Sequence, residues 1–246
     1  MRRFAGNCLM ALGVLAVAGA GSVVQAQAPD FNGVWQAYAS VPQFGPGQSG
    51  ALSEEGAALV ETYFAGYGDD FPDPGEYCVP PGMPSTMTSM VSYPIEVLQS
   101  PDRVTMLAEL DMQVHRIYMD GRDFPNEYPT SRMGYSIGRW DGETLVIETR
   151  LLGEYLMRSW PRTENTTIIE RVYRANRDEL NVERNGFPPE NDSNDILVFE
   201  MTVTDPTLYT QPQRIAMYYQ RIPEVEFLEY DCAAGLWYRA LEGEEY

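Results

Sequence analysis

GYSIGRWDGETLVIET, residues 134–149, is two runs of alternating polar and apolar residues joined by Asp141-Gly142. Asp-Gly between alternating runs is a strong short-range signal for a β-hairpin. A two-residue loop at that dipeptide pairs Trp140 with Glu143, Arg139 with Thr144, Ile137 with Val146 and Tyr135 with Glu148. Because strand side chains alternate, Tyr135, Ile137, Arg139, Val146 and Glu148 share one face, and Ser136, Gly138, Trp140, Leu145 and Ile147 share the other. The same stretch contains Gly134-Tyr-Ser-Ile-Gly138, which fits the G-x-S-x-G pattern of a hydrolase elbow. That elbow needs a sharp strand-to-helix turn at the serine, with its acid and histidine later in the chain. Here a hairpin follows Ser136, and the single histidine, His115, precedes it. His115, Asp120 and Ser136 would match a chymotrypsin-like order, but they lie close together in the chain and no GDSGG motif is present. Ser136 is therefore read as a strand residue.

Outward from the hairpin, the chain keeps the same character. DFNGVWQAY (30–38) reads as a first strand with Trp35 as a core anchor. RVTMLAEL, MQVHRIYM, TTIIERVYR, DELNVER, DILVFEMTV and QRIAMYYQ repeat the pattern, separated by short turn signals. LSEEGAALVETYFAGYG (52–68) reads as a helix: Ser53 caps it, Glu54 and Glu55 suit its first turn, Leu59/Tyr63 and Val60/Phe64 recur at i,i+4, and Gly66 and Gly68 stop it. Eight or nine strands in sequence predict an all-β fold with one or two short helices, an antiparallel up-and-down β-barrel or a strongly curved sheet, since closure removes exposed edges.

The first 26 residues combine Arg2 and Arg3, an apolar run from about Leu9 to Val24 and compact residues at Val24 and Ala26. This is the pattern of a secretory signal peptide cleaved after Ala26, which leaves residues 27–246 as one domain in the periplasm or outside the cell. No later stretch approaches the roughly 18 consecutive apolar residues of a membrane helix, so no membrane insertion is expected after cleavage. Without Arg2 and Arg3 the 17 basic residues become 15, against 36 acidic ones, for a net charge of −21. Such a chain is a poor partner for nucleic acid. Lysine is absent, which excludes Schiff-base and phosphate-loop lysine chemistry, and every working cation is a guanidinium. Cys78 and Cys232 survive processing, and an oxidising compartment favours a disulfide between them.

In MQVHRIYM, Arg116 and Tyr118 share one face while His115, Ile117 and Met119 share the other. If Arg116 and Tyr118 point into the same barrel interior as Tyr135, Arg139 and Glu148, they form a cavity with two guanidiniums, two phenols and a carboxylate. Such a cavity suits a small carboxylate or carbonyl ligand, with Tyr135 and Glu148 placed for proton transfer. The competing reading is a set of cross-strand ion pairs on a solvated face. One histidine cannot build a zinc site of ordinary composition. The groups Asp69, Asp70, Asp73 and Glu76, and Glu190, Asp192, Asn194 and Asp195, fit no calcium-loop template and read as acidic loops. Met83, Met87 and Met90 read as core filling. Neither a metal nor a cofactor is expected.

Asn32-Gly33-Val34-Trp35 at the head of a β-rich chain resembles the G-x-W of lipocalins. That resemblance implies that Trp35 closes the barrel floor and that a late arginine, Arg239, packs over it. CVPPGMP, HRIYMDGR, GYSIGRWDGETLVIET, the Glu170-Arg171 pair and DPTLYTQP together resemble a family of secreted bacterial proteins of uncharacterised function. In that family histidine is frequent where this sequence has Tyr135 and Thr167, a departure that argues against histidine- or metal-based chemistry here. The resulting expectation is an exported barrel that binds a small amphipathic or carboxylate/carbonyl molecule in its interior. An acid–base enzyme (isomerase, lyase or hydrolase) using the same cavity and an envelope interaction protein are the alternatives.

Overall fold

Period-two alternation puts every second residue on one side of a strand, and in the computed structural model those sides converge on a common interior. The structure describes residues 28–44, 52–66, 78–88, 93–156, 160–184 and 193–230. Among them are nine strands: β1 (Gly33–Phe44), β2 (Ile95–Ser100), β3 (Arg103–Ala108), β4 (Gln113–Tyr118), β5 (Tyr135–Asp141), β6 (Thr144–Arg150), β7 (Thr167–Asn176), β8 (Asp195–Thr204) and β9 (Gln213–Arg221). They pair in chain order and close into a barrel through β1 and β9. The expected signal peptide and its cleavage point lie outside the described residues.

The barrel is not antiparallel throughout, as the up-and-down reading had it. β4 and β5 are parallel, with Ile117 facing Ser136 and Tyr118 facing Ile137. The reason is parity. Nine strands alternating without a break would meet at closure as a parallel pair. One parallel junction elsewhere lets β1 and β9 pair antiparallel over the long register from Trp35↔Arg221 to Phe44↔Arg214. The connection 119–134 provides that junction by returning the chain along the outside of the barrel before β5 begins.

The strand set differs from the expectation at two places. DELNVER forms no strand: Arg177–Glu179 is a 3-10 turn whose Asp178 N–H bonds to the Asn176 side chain. In its stead IEVLQS forms β2, joined to β3 through Pro101-Asp102, with Ser100 opposite Arg103. Leu98 faces outward and is 48% exposed, which breaks the binary pattern that marks the other strands.

The hairpin forms with a corrected register. Asp141 pairs with Thr144, so the loop residues are Gly142 and Glu143, and the sequence continues as Arg139↔Val146, Ile137↔Glu148 and Tyr135↔Arg150. Gly142 has φ +62° and is the only loop residue with positive φ, as a loop with glycine at its first central position requires. Moving the loop by one residue changes each partner by two, which preserves the faces. Ser136, Gly138, Trp140, Leu145 and Ile147 are the inward set, joined by Thr149.

The inward residues of all nine strands belong to one core that includes Trp35, Val97, Met106, Ile147, Phe199 and Tyr219. Met83 and Met87, as expected, are buried in it; Met90 lies outside the described residues. Trp35 is fully buried and its indole N–H donates to the Phe31 carbonyl at 3.0 Å. Phe31 in turn packs on Trp140, with ring centroids 5.4 Å apart, at the end of the barrel that carries the β5–β6 hairpin. The expected helix is α1 (Glu54–Ala65), capped by Ser53 Oγ accepting from the Gly56 N–H. Gly56 is its one buried residue, and a Cβ there would overlap the backbone of Leu208, so this glycine is what lets the helix dock. A second helix, α2 (Ser85–Thr88), is a single buried turn.

Candidate functional site

Two groups of side chains have chemical potential, one inside the wall and one outside it. Inside, alternation brings His115 on β4, Ser136 on β5, Thr149 on β6 and Glu170 on β7 to the interior. His115 Nε2 lies 2.9 Å from Ser136 Oγ, and Ser136 Oγ lies 2.8 Å from Thr149 Oγ1, its direct cross-strand partner. Glu170 Oε2 is 3.8 Å from the same His115 Nε2. Neither Glu170 oxygen has a hydrogen-bond partner among the described residues, and neither does His115 Nδ1. Burial pushes the Glu170 carboxyl up to about 8 and the His115 imidazole down to about 4, so both are neutral at pH 7.

This is not a serine triad. A triad histidine is held through one nitrogen by the acid and offers the other to the serine. Here serine and acid both sit on Nε2. Asp120 is at the surface, gripped by Arg122, whose hydrogen bonds hold the Asp120 carboxyl down to about 2. With His115 and Ser136 each 1% exposed, the group is sealed from any substrate. Ser136 is a strand residue, as its hairpin context requires. Its contact with His115 was missed, because alternation shows which way each points but not that β4 and β5 are neighbours in parallel.

Outside the wall, Val114, Arg116 and Tyr118 are the outward residues of β4, and the connection 119–134 folds over them. Between them is a pocket of about 180 Å³ whose lining includes Arg116, Tyr118, Tyr128, Met133 and Tyr135. Tyr118 and Tyr135 stack with centroids 5.0 Å apart and planes 28° apart. Tyr128 meets Tyr135 edge-on at 5.1 Å. Arg122 lies 3.9 Å over the Tyr118 ring and donates to the Tyr135 hydroxyl at 3.3 Å. Arg122 is paired with Asp120, and Arg150 with Glu148. Arg116 differs: it has no carboxylate partner among the described residues.

The five residues expected to line an internal cavity thus all project outward, and among the described residues those facing the interior are mostly apolar core side chains. Arg116, Tyr118 and Tyr135 do come together, on the outer wall. Arg139 is four residues along β5 from Tyr135, about 13 Å at strand rise, and is not in the pocket. Glu148 is engaged by Arg150, so it is not poised as a free base. Thr167 precedes the inward Ile168 and therefore also faces out.

Arg239 lies outside the described residues, and the guanidinium found over Trp35 is that of Arg221, 5.6 Å from the ring. Cys78 is disulfide-bonded; Cys232, its expected partner, lies outside the described residues. So do Asp69, Asp70, Asp73, Glu76, Glu190 and Asp192. Asn194 donates to Asp178, and Asp195 pairs with Arg174 and Arg221. Among the described residues no three His, Cys, Asp or Glu side chains are grouped to hold a metal ion. Compared with family models and with curated proteins, the chain matches none.

Proposed function

We propose that this protein is an exported barrel that binds a small carboxylate- or carbonyl-bearing molecule, not in its interior but in the wall pocket beneath the connection 119–134. The observation that carries this reading is Arg116, a guanidinium without a carboxylate partner among the described residues in a chain of net charge −19, set in a pocket beside stacked tyrosines. In a chain where acidic residues outnumber basic ones two to one, an arginine left without an acid is available to an acidic guest. Export into the periplasm or the medium rests on the signal-peptide pattern of residues 1–26, and a Cys78–Cys232 bond suits that compartment. The acid–base enzyme reading has weaker support, since Glu148 is occupied by Arg150 and the Tyr135 hydroxyl by Arg122.

The test is native mass spectrometry of protein exported with its own leader, compared with the same sample denatured. A small bound mass that disappears on denaturation, and is missing from Arg116→Gln, is the expected result. An empty protein, or a bound mass that Arg116→Gln retains, would sink this reading. The intact mass also reports cleavage after Ala26 and the state of the cysteines.

A further inference from the structure

We infer that the guest of the wall pocket is a planar aromatic acid, a single ring bearing one carboxylate, an inference that rests on the binding reading above. Size comes first. The pocket holds about 180 Å³, little more than the roughly 150 Å³ of an apolar cavity that takes one benzene, and well below the several hundred Å³ of pockets for drug-sized ligands. A long-chain amphiphile is too large for it. Shape comes second. Tyr135 is the hub of an aromatic group, stacked on Tyr118 and met edge-on by Tyr128 with planes 71° apart. Ring faces and edges set in two directions are the surroundings in which a further flat ring gains offset-stacked and edge contacts. An aliphatic acid of equal volume gains only the burial.

Charge completes the assignment. Arg116 and Tyr118 are two apart on one face of β4, so their Cβ atoms stand roughly 6 to 7 Å apart. One aromatic ring with its carboxylate bridges that span, ring toward the tyrosines and carboxylate toward Arg116. The guanidinium is a planar fork whose donors match a carboxylate two to two. Arg122 cannot take that role, because it is chelated to Asp120 and sits over the Tyr118 ring.

The experiment is isothermal titration of the purified protein with benzoate, benzamide, cyclohexanecarboxylate, decanoate and acetate, repeated on Arg116→Gln and Tyr118→Leu, with circular dichroism confirming that each variant is folded. Benzoate should bind one to one. Benzamide, cyclohexanecarboxylate and acetate should each be at least tenfold weaker, Arg116→Gln should lose at least tenfold for benzoate and so remove its advantage over benzamide, and Tyr118→Leu should erase the advantage of benzoate over cyclohexanecarboxylate. If decanoate, cyclohexanecarboxylate or acetate binds as tightly as benzoate, and Arg116→Gln still abolishes it, the aromatic class is wrong while the carboxylate site stands. If no carboxylate binds, or Arg116→Gln changes nothing, both the class and the site fall together.

Discussion

Glu170 places a carboxyl in the middle of an apolar barrel with neither oxygen hydrogen-bonded among the described residues, and His115 stands beside it with one nitrogen likewise without a partner there. Burial favours the neutral form of each, and the consequences for stability have opposite signs. Glu170 is raised from 4.5 to about 8, so its contribution is fully present below pH 4.5 and is lost as pH rises through 8. His115 is lowered from 6.5 to about 4, so its contribution is present above pH 6.5 and is lost as pH falls through 4. Between pH 4.5 and 6.5 the two slopes cancel; from pH 6.5 to 8 the protein should lose roughly 2 kcal/mol. Glu170→Gln should remove that alkaline loss, and stability should then rise from pH 4 to 6.5 and level off, as read from urea midpoints at pH 5, 6.5 and 8. An unchanged alkaline slope in the variant would show that another group sets it. The inward direction of His115 was legible from its neighbour Ile117 and the alternation of the strand. That Ser136, Thr149 and Glu170 meet it was not, because contacts between strands depend on pairing order and register.

The β5–β6 hairpin shows how two glycines four residues apart do different work. Gly142 occupies the loop with φ +62° and nothing within 4 Å of a Cβ, so Gly142→Ala costs only backbone conformation, about 1 kcal/mol. Gly138 faces the interior, where a Cβ would overlap Met119 Sδ and Ile117 Cγ2. Gly138→Ala should therefore act by overpacking, costing about 1 to 3 kcal/mol with the side chain of Met119 displaced. Thermal unfolding ranks the two, and only Gly138→Ala should alter the methyl resonances of Ile117 and Met119. Alternation and Asp-Gly were enough to predict the hairpin and its two faces. The loop was misplaced by one residue because either Asp141-Gly142 or Gly142-Glu143 can make a two-residue turn, and cross-strand partners beyond the hairpin select between them. For the same reason DELNVER, an alternating run with no partner among the described strands, does not become one, while IEVLQS, with its exposed Leu98, does.

At the scale of the molecule, closure is the event that organises everything else. Trp35 is the largest fully buried side chain among the described residues, near the seam where β1 meets β2 and β9. Trp35→Ala should cost about 3 to 5 kcal/mol, whereas Trp35→Phe, which keeps most of the packing but loses the bond to the Phe31 carbonyl, should cost markedly less. Hydrogen exchange should show the loss concentrated in β1 and β9; a loss spread evenly over all strands would mean that Trp35 is core filler and not a seam residue. A closed barrel of nine strands has an inside and an outside, and which is which decides where a guest can sit. The sequence by itself determined the fold class, the faces of β4 and of the β5–β6 hairpin, the capped helix, the acidic composition and the all-arginine cation set, because these follow from periodicity, capping and composition, which are local. Only the tertiary structure decided that the face carrying Arg116, Tyr118 and Tyr135 looks outward, that Arg139 and Glu148 stand apart from that group, and that β4 meets β5 in parallel. Those are properties of which strand lies beside which, and pairing between distant segments is set by how the whole set of apolar faces closes on itself.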